Sequence, residues 1–93
     1  MRSNFLNTVE DIISILKRNN KIESVHQFAN ARLMGGTPGE TFSIVCCLLK
    51  TIEISNAELF SLIAMEAKII FLEAEILGYD IRANFDLFNE LKS

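Results

Sequence analysis

The sequence predicts an all-α protein, a compact bundle of four to five helices with a long central helix. Apolar residues recur at helical spacings of three and four, and no segment shows the sustained alternation of a strand. Hydroxyl caps and glycines divide the chain into segments of helical length. With 93 residues, 49% of them hydrophobic, the chain is predicted to fold as a single helical domain over residues 1–93.

The first two helices are predicted mainly from their apolar spacing. Ser3 or Asn4 is the expected cap of the first helix, whose apolar residues step by four, three and four. It is expected to end near the polar run at residues 17–21. The second helix is expected to start near Ser24 and to stop at the glycine pair at residues 35–36.

The third helix has the clearest predicted start. Thr37 supplies a hydroxyl cap, Pro38 occupies the first helical position and Glu40 the third. The helix is expected to extend to about Thr51. A connection of only three or four residues around positions 52–54 then predicts that the third and fourth helices form an antiparallel or steeply crossed pair.

The long central helix is predicted to begin at a second capping box, Ser55 with Glu58, and to end at Gly78. At about 100° per residue its apolar residues fall into two stripes on nearly opposite sides. Either the helix is sandwiched inside a bundle, or one stripe meets another chain. A last short helix is expected from about Arg82 to Leu91. The two stripes are Phe60, Ile63, Ala67, Ile70, Ala74 and Leu77 on one side, and Leu62, Met65, Ile69, Leu72 and Ile76 on the other.

Charge and composition narrow the functional classes. A net charge of −3 argues against direct nucleic-acid binding, which needs a basic face. The segment from Met1 to Leu16 lacks the continuous apolar run of a signal peptide, so the chain is expected to be cytoplasmic. The most apolar window, residues 57–77, contains several charged side chains, and a membrane-spanning helix is therefore not expected.

The residue types needed for catalysis or metal binding are sparse. His26 is the single histidine, and Cys46 and Cys47 are adjacent, so the spacing of a zinc site is absent and the cysteines are expected to be core residues. Glu66 and Glu73 lie two turns apart, and a solvated edge is favoured over an acid–base pair. The sequence therefore predicts a binding protein and not an enzyme, with no catalytic residue, cofactor or metal.

Five short motifs lie between Phe28 and Leu77, a little over half of the chain. They are Ala31-Arg32-Leu33, Gly39-Glu40 opening an apolar helix, Cys47-Leu48 within it, Ile54-Ser55, and Glu58 opening another helix. This stretch resembles the MafI-type immunity proteins of bacterial polymorphic toxin systems. The segment between Gly39-Glu40 and Ile54-Ser55 is a few residues shorter than in those proteins.

The resemblance implies a small, acidic, helical immunity protein of contact-dependent growth inhibition. Such a protein would bind the nuclease domain of a cognate toxin, a basic partner, and block its active site, without binding nucleic acid or membrane itself. The physical pattern is compatible with that role, because acidic side chains beside exposed apolar ones fit a basic substrate groove.

The candidate partner-binding residues lie on the central helix and just after it. An alternative is that the apolar side chains of this stripe, Leu62, Met65, Ile69 and Leu72, simply contact the first and last helices. A second alternative is a self-associating helical structural module or secretion-type chaperone, in which a homodimer buries the second stripe. The candidate residues are Leu62, Met65, Glu66, Ile69, Glu73, Tyr79 and Asp80.

Overall fold

The computed structural model describes residues 5–92, and within this range it contains six α-helices and no strand. The all-α bundle predicted from the sequence is confirmed. The caps expected at Ser3 or Asn4 lie outside the described residues. The helices are α1 (Phe5–Arg18), α2 (Ile22–Met34), α3 (Pro38–Ser55), α4 (Ala57–Leu62), α5 (Ala64–Leu77) and α6 (Phe85–Glu90).

Helix α3 lies at the centre of the bundle, where it packs against α2, α4, α5 and α6. Helix α1 covers α2 and α5. The radius of gyration, 11.9 Å, agrees with the value of about 12 Å expected for one compact domain of this length. The largest side chains of the core, all less than 2% exposed, include Ile12, Leu16, Phe28, Leu48, Leu49, Ile52, Ile63, Ile70 and Leu91.

Two of the helix boundaries predicted from single residues are confirmed. The Thr37 hydroxyl accepts a hydrogen bond from the Glu40 backbone N–H at 3.2 Å, and Pro38 is the first residue of α3. Gly78 ends α5 with a φ of 82°, the left-handed conformation that an L side chain adopts only at a cost. Thr37 and Pro38 therefore fix the start of α3, and Gly78 fixes the end of α5.

The expected junction between the third and fourth helices is wrong in detail. Helix α3 continues past Thr51 to Ser55, whose hydroxyl donates back to the Thr51 carbonyl oxygen at 2.7 Å. The cap of α4 is Asn56, since its side-chain oxygen accepts from the Leu59 N–H at 3.0 Å. One residue, not three or four, therefore connects α3 to α4.

The segment predicted as one long central helix is two helices, because the chain leaves helical geometry at Ile63. This residue has φ −122° and ψ 18°, and its backbone N–H bonds to the Phe60 carbonyl oxygen at 3.0 Å, one residue closer than in an α-helix. The Ile63 side chain is fully buried, as is most of Leu59. The break therefore lies at a residue whose side chain is in the core.

Two other predicted starts are corrected. Helix α2 begins at Ile22, without a side-chain cap, before the expected Ser24. Helix α6 begins at Phe85 and not near Arg82, because Asn84 is the residue that caps it, accepting from the Leu87 N–H at 3.0 Å. Before α2 the run of polar residues at positions 17–21 leaves the start of the helix open, and before α6 both Arg82 and Asn84 are polar, so spacing alone did not locate either start.

Side chains from other helices fix the C-terminal segment in place. The Thr51 hydroxyl accepts from the Asn84 backbone N–H at 2.9 Å. From α2, the Gln27 side chain donates to the Phe88 carbonyl oxygen at 3.1 Å, and the Asn30 side chain donates to the Leu91 carbonyl oxygen at 3.0 Å. These bonds hold the C-terminal segment and α6 against α2 and α3.

Candidate functional site: the outer face of helix α5

Helix α5 has one buried face and one exposed apolar face. The buried face consists of Ala67, Ile70 and Ala74, each no more than 1% exposed. The exposed side chains lie opposite, and we call them the α5 seam. They are Met65 (77% exposed), Ile69 (53%), Leu72 (51%) and Ile76 (83%). The second stripe predicted from the sequence is therefore largely at the surface.

Side-chain size explains which face turns inward. Ala67 and Ala74 occur one heptad apart, and both are fully buried. Small side chains let the helix backbone approach its neighbours closely, so α5 can pack against α1 and α3 through its alanine side. The larger side chains of the seam point away from that contact. Of the four residues that the alternative places in contact with the first and last helices, Leu62 is half-buried against the core, whereas Met65, Ile69 and Leu72 are each more than half exposed.

Charged side chains border the seam on both edges. Glu66 and Glu73 are half-buried along one edge, which we call the acidic edge, while Lys68 and Glu75 are exposed along the other. On a helix, residues seven apart lie nearly above one another, so the two glutamates of the acidic edge share a line two turns long. The seam is thus a narrow apolar strip with a different charge pattern on each side.

The remaining predicted residues lie at the two ends of this face. Leu62 ends α4 and is half-buried against the core, outside the seam. Tyr79 follows Gly78, is 38% exposed, and packs its ring edge-on against Phe42 with 5.0 Å between ring centres. Asp80 accepts a hydrogen bond from Arg82 at 2.8 Å, so its charge is locally paired.

An apolar cleft adjoins the C-terminal end of α5. Its volume is about 240 Å³, less than that of most ligand pockets. The polar groups among its lining residues include the carboxylate of Glu73 and the hydroxyl of Tyr79, and no histidine or cysteine is among them. Its lining residues are Phe5, Leu6, Pro38, Gly39, Phe42, Glu73, Leu77 and Tyr79.

Sequence reasoning missed part of this surface. Leu72 and Ile76 belong to the second stripe but were not among the candidate contacts, although the same period places them on the seam. Leu77 belongs to the same predicted stripe as the buried Ile70 and Ala74, yet it is 58% exposed. Leu6 on α1 is 46% exposed and lines the cleft, but the spacing of apolar residues in α1 did not predict that it would be exposed.

The groups with potential chemistry are not brought together. His26 is exposed on α2, whereas Cys46 is buried and Cys47 half-buried on α3. Among residues 5–92, the structure contains no group of three or more His, Cys, Asp or Glu placed to hold a metal ion. Over the same residues, no helix is long and apolar enough to cross a membrane.

Burial raises the pKa values of the two cysteine thiols. It raises the pKa of Cys46 from 9.0 to about 12, with the neighbouring Cys47 and Glu73 adding to the rise. It also raises the pKa of Cys47, opposed by a hydrogen bond from the Arg82 backbone. Since the thiolate is the reactive form, burial lowers the reactivity of both thiols at neutral pH.

Because the pKa of Cys46 is raised in the native protein, we expect the protein to become less stable at alkaline pH. Between pH 9 and about pH 12 the unfolded chain loses the Cys46 proton while the native protein keeps it. The free energy of unfolding should therefore fall with rising pH, by about 1.4 kcal/mol per unit, and this contribution is fully present below pH 9. Urea unfolding at pH 8 and pH 10 measures it, and between these two values the contribution of Cys46 amounts to about 1.4 kcal/mol in total, most of it above pH 9. Cys46→Ala should therefore lose less stability between the two pH values by that amount, and a loss equal to that of the unsubstituted protein would contradict the prediction.

Comparison with protein-family models, with curated proteins and with solved structures finds no match to this chain.

Proposed function

We propose that this protein acts by binding another protein through the outer face of α5, and that it is an immunity protein which neutralises a toxin domain with a basic active site. The observation that carries the proposal is the α5 seam, a row of four large apolar side chains that are each more than half exposed. Large contiguous apolar patches are unusual on monomeric soluble proteins and mark interaction sites.

The energy available from the seam is consistent with a protein interface. Burying an exposed large apolar side chain contributes roughly 1.5–3 kcal/mol, so covering the four seam residues in proportion to their exposure contributes roughly 4–8 kcal/mol. Association itself costs a comparable amount. Stable binding therefore needs further contacts, and the acidic edge and the cleft beside Tyr79 provide polar and apolar surface next to the seam.

Charge favours a basic partner. The chain has a formal net charge of −3, and the acidic edge runs along the seam for two helical turns. Domains that cleave nucleic acids need basic grooves to bind phosphates. A bundle that presents carboxylates beside apolar anchors would be attracted to such a groove, with charge speeding the encounter and the anchors supplying the affinity.

The resemblance to MafI-type immunity proteins supports the choice of toxin as partner. The motifs that carry it lie in the last turns of α2 and α3, in the first turns of α3 and α4, and at Cys47-Leu48 in the middle of α3. None of them includes a residue of the α5 seam. The toxin and its chemistry do not follow from these residues.

The test is capture of the partner from the native cells. Tagged protein is purified together with the product of the gene immediately upstream, and the recovered complex is analysed by size-exclusion chromatography with light scattering. We expect a one-to-one complex with a basic domain that is toxic when expressed alone and harmless when co-expressed. The immunity function would be contradicted if the tagged protein were recovered alone and if its co-expression did not prevent the toxicity of the upstream gene product.

The acidic edge has its own test on that complex. Glu66→Lys with Glu73→Lys should slow association with a basic partner, because the attraction that guides the encounter is reversed. The association rate is measured by stopped flow at low and high salt. An association rate and salt dependence equal to those of the unsubstituted protein would show that the acidic edge does not guide the partner.

A further inference from the structure

We propose that, in the free protein, the α5 seam is covered by the α5 seam of a second copy, the two helices running parallel as a short coiled coil. This inference goes beyond the proposed function and does not depend on it. A toxin that uses the same seam would have to displace the second copy, so the two complexes would exclude each other.

The spacing of the seam is that of a coiled coil. Its four residues are separated by four, three and four positions, which places them within an arc of about 60° on the helix. A strip this narrow fits another helix better than it fits a sheet or a broad surface. In a coiled coil, each helix contacts its single partner helix through only two apolar positions in every seven residues, and the seam has this pattern.

The residue types favour two parallel strands. In parallel two-stranded coiled coils, β-branched residues are preferred at core position a of the heptad and leucine at core position d. Ile69 and Ile76 occupy a positions, and Met65 and Leu72 occupy d positions. In a parallel pair each of these side chains meets its own counterpart, so isoleucine packs on isoleucine and leucine on leucine.

The charges at the edges distinguish parallel from antiparallel pairing. In a parallel pair, Lys68 of one copy lies beside Glu73 of the other, five positions further along, and symmetry makes this attraction occur twice. In an antiparallel pair, Lys68 would instead face Glu75, but Glu66 would face Glu73. Four carboxylates would then line one edge, so charge favours the parallel arrangement.

The length of the seam sets the strength of the association. From Met65 to Ile76 it measures about 16 Å, at about 1.5 Å per residue, and it supplies four core layers. Self-standing coiled coils sustain the pattern over about three or four heptads. The dimer should therefore be weak and concentration-dependent, as expected for an interface at the small end of the range.

Sedimentation equilibrium of the full chain over a wide concentration range tests the proposal. The protein should show a monomer–dimer equilibrium. Ile76→Lys should remain a monomer throughout. The matched control is Leu33→Lys, at an equally exposed leucine of α2 (82% against 83%), and it should dimerise like the unsubstituted protein. A monomer at every concentration, or equal loss of dimer in both variants, would overturn the proposal.

Charge reversal tests the orientation. Lys68→Glu and Glu73→Lys should each weaken the dimer about tenfold, because two attractive contacts become repulsive. An equimolar mixture of the two variants should regain association, since each then supplies the charge that the other lacks. Recovery with Lys68→Glu and Glu75→Lys instead would show that the helices are antiparallel, and the parallel arrangement would be wrong.

A cross-link provides an independent measurement if Glu73→Lys disturbs the fold, since Glu73 lines the cleft and influences Cys46. In the parallel dimer, residue 76 meets its own counterpart, so Ile76→Cys should form a disulfide-linked dimer under a mild oxidant. Leu33→Cys is the control and should remain a monomer on a non-reducing gel. Equal cross-linking of both variants, or none with Ile76→Cys, would contradict the proposed contact.

Discussion

Replacing Met65 and Ile76 together by lysine is expected to weaken binding of the toxin partner by at least about 100-fold, while the protein stays folded. Both side chains are more than three-quarters exposed, at 77% and 83%. Each substitution removes roughly 1.5–3 kcal/mol of apolar burial from the interface and adds a positive charge against a basic partner. A total loss of about 3–6 kcal/mol corresponds to a factor of about 10²–10⁴ in the dissociation constant.

Titration calorimetry with the captured partner measures the effect, and thermal unfolding followed by circular dichroism checks the fold. The control is the double variant Leu33→Lys with Met34→Lys, which places the same charges on exposed apolar residues at the end of α2, 82% and 48% exposed. It should bind with nearly the original affinity. If both double variants lose affinity equally, charge alone explains the loss and the α5 seam is not the binding surface.

The two-faced character of α5 could be predicted from the sequence, but which face is exposed could not be read from periodicity. Both stripes consist of large apolar residues with the same period, and hydrophobicity does not distinguish them. The useful signal was side-chain size. Ala67 and Ala74 lie on one stripe only, and small side chains in register allow the close backbone approach that the buried face of α5 shows.

Helix boundaries were predictable where one residue type dominates the local conformation. Thr37 with Pro38 and Gly78 are such cases, and the structure agrees with both predictions. The break at Ile63 had no such signal, since neither glycine nor proline is near it. The local sequence therefore does not locate the break, although Ile63 itself lies in the core.

The positions of the candidate contacts on α5 follow from the sequence in part. Met65 and Ile69 are exposed, and the two glutamates of the acidic edge lie half-buried beside them, as their helical spacing predicts. Asp80 was a candidate contact because of its charge, but its ion pair with Arg82 is local to the segment after α5. Whether a charged side chain faces a partner or a neighbour two residues away depends on side-chain geometry, which spacing along a loop does not determine.

Ile70→Ala is expected to destabilise the protein by about 2–5 kcal/mol, whereas Ile69→Ala should cost less than about 1 kcal/mol. The two residues are adjacent and identical, but Ile70 is 1% exposed and Ile69 is 53% exposed. Truncating Ile70 leaves a cavity beneath α5, whereas truncating Ile69 mostly removes atoms that already contact water. Because a domain of this size is stable by only about 5–14 kcal/mol, the first change should lower the melting temperature by about 10 °C or more.

Urea unfolding of the two variants, side by side, measures this difference in one pair of experiments. Partner binding should show the opposite order: Ile69→Ala removes part of the α5 seam, and Ile70→Ala, where still folded, leaves the seam intact. Equal losses of stability would mean that the two sides of α5 are equally buried in solution. If the protein dimerises through the seam, the cost of Ile69→Ala should rise with protein concentration, because only the dimer buries that side chain, while the cost of Ile70→Ala should stay constant.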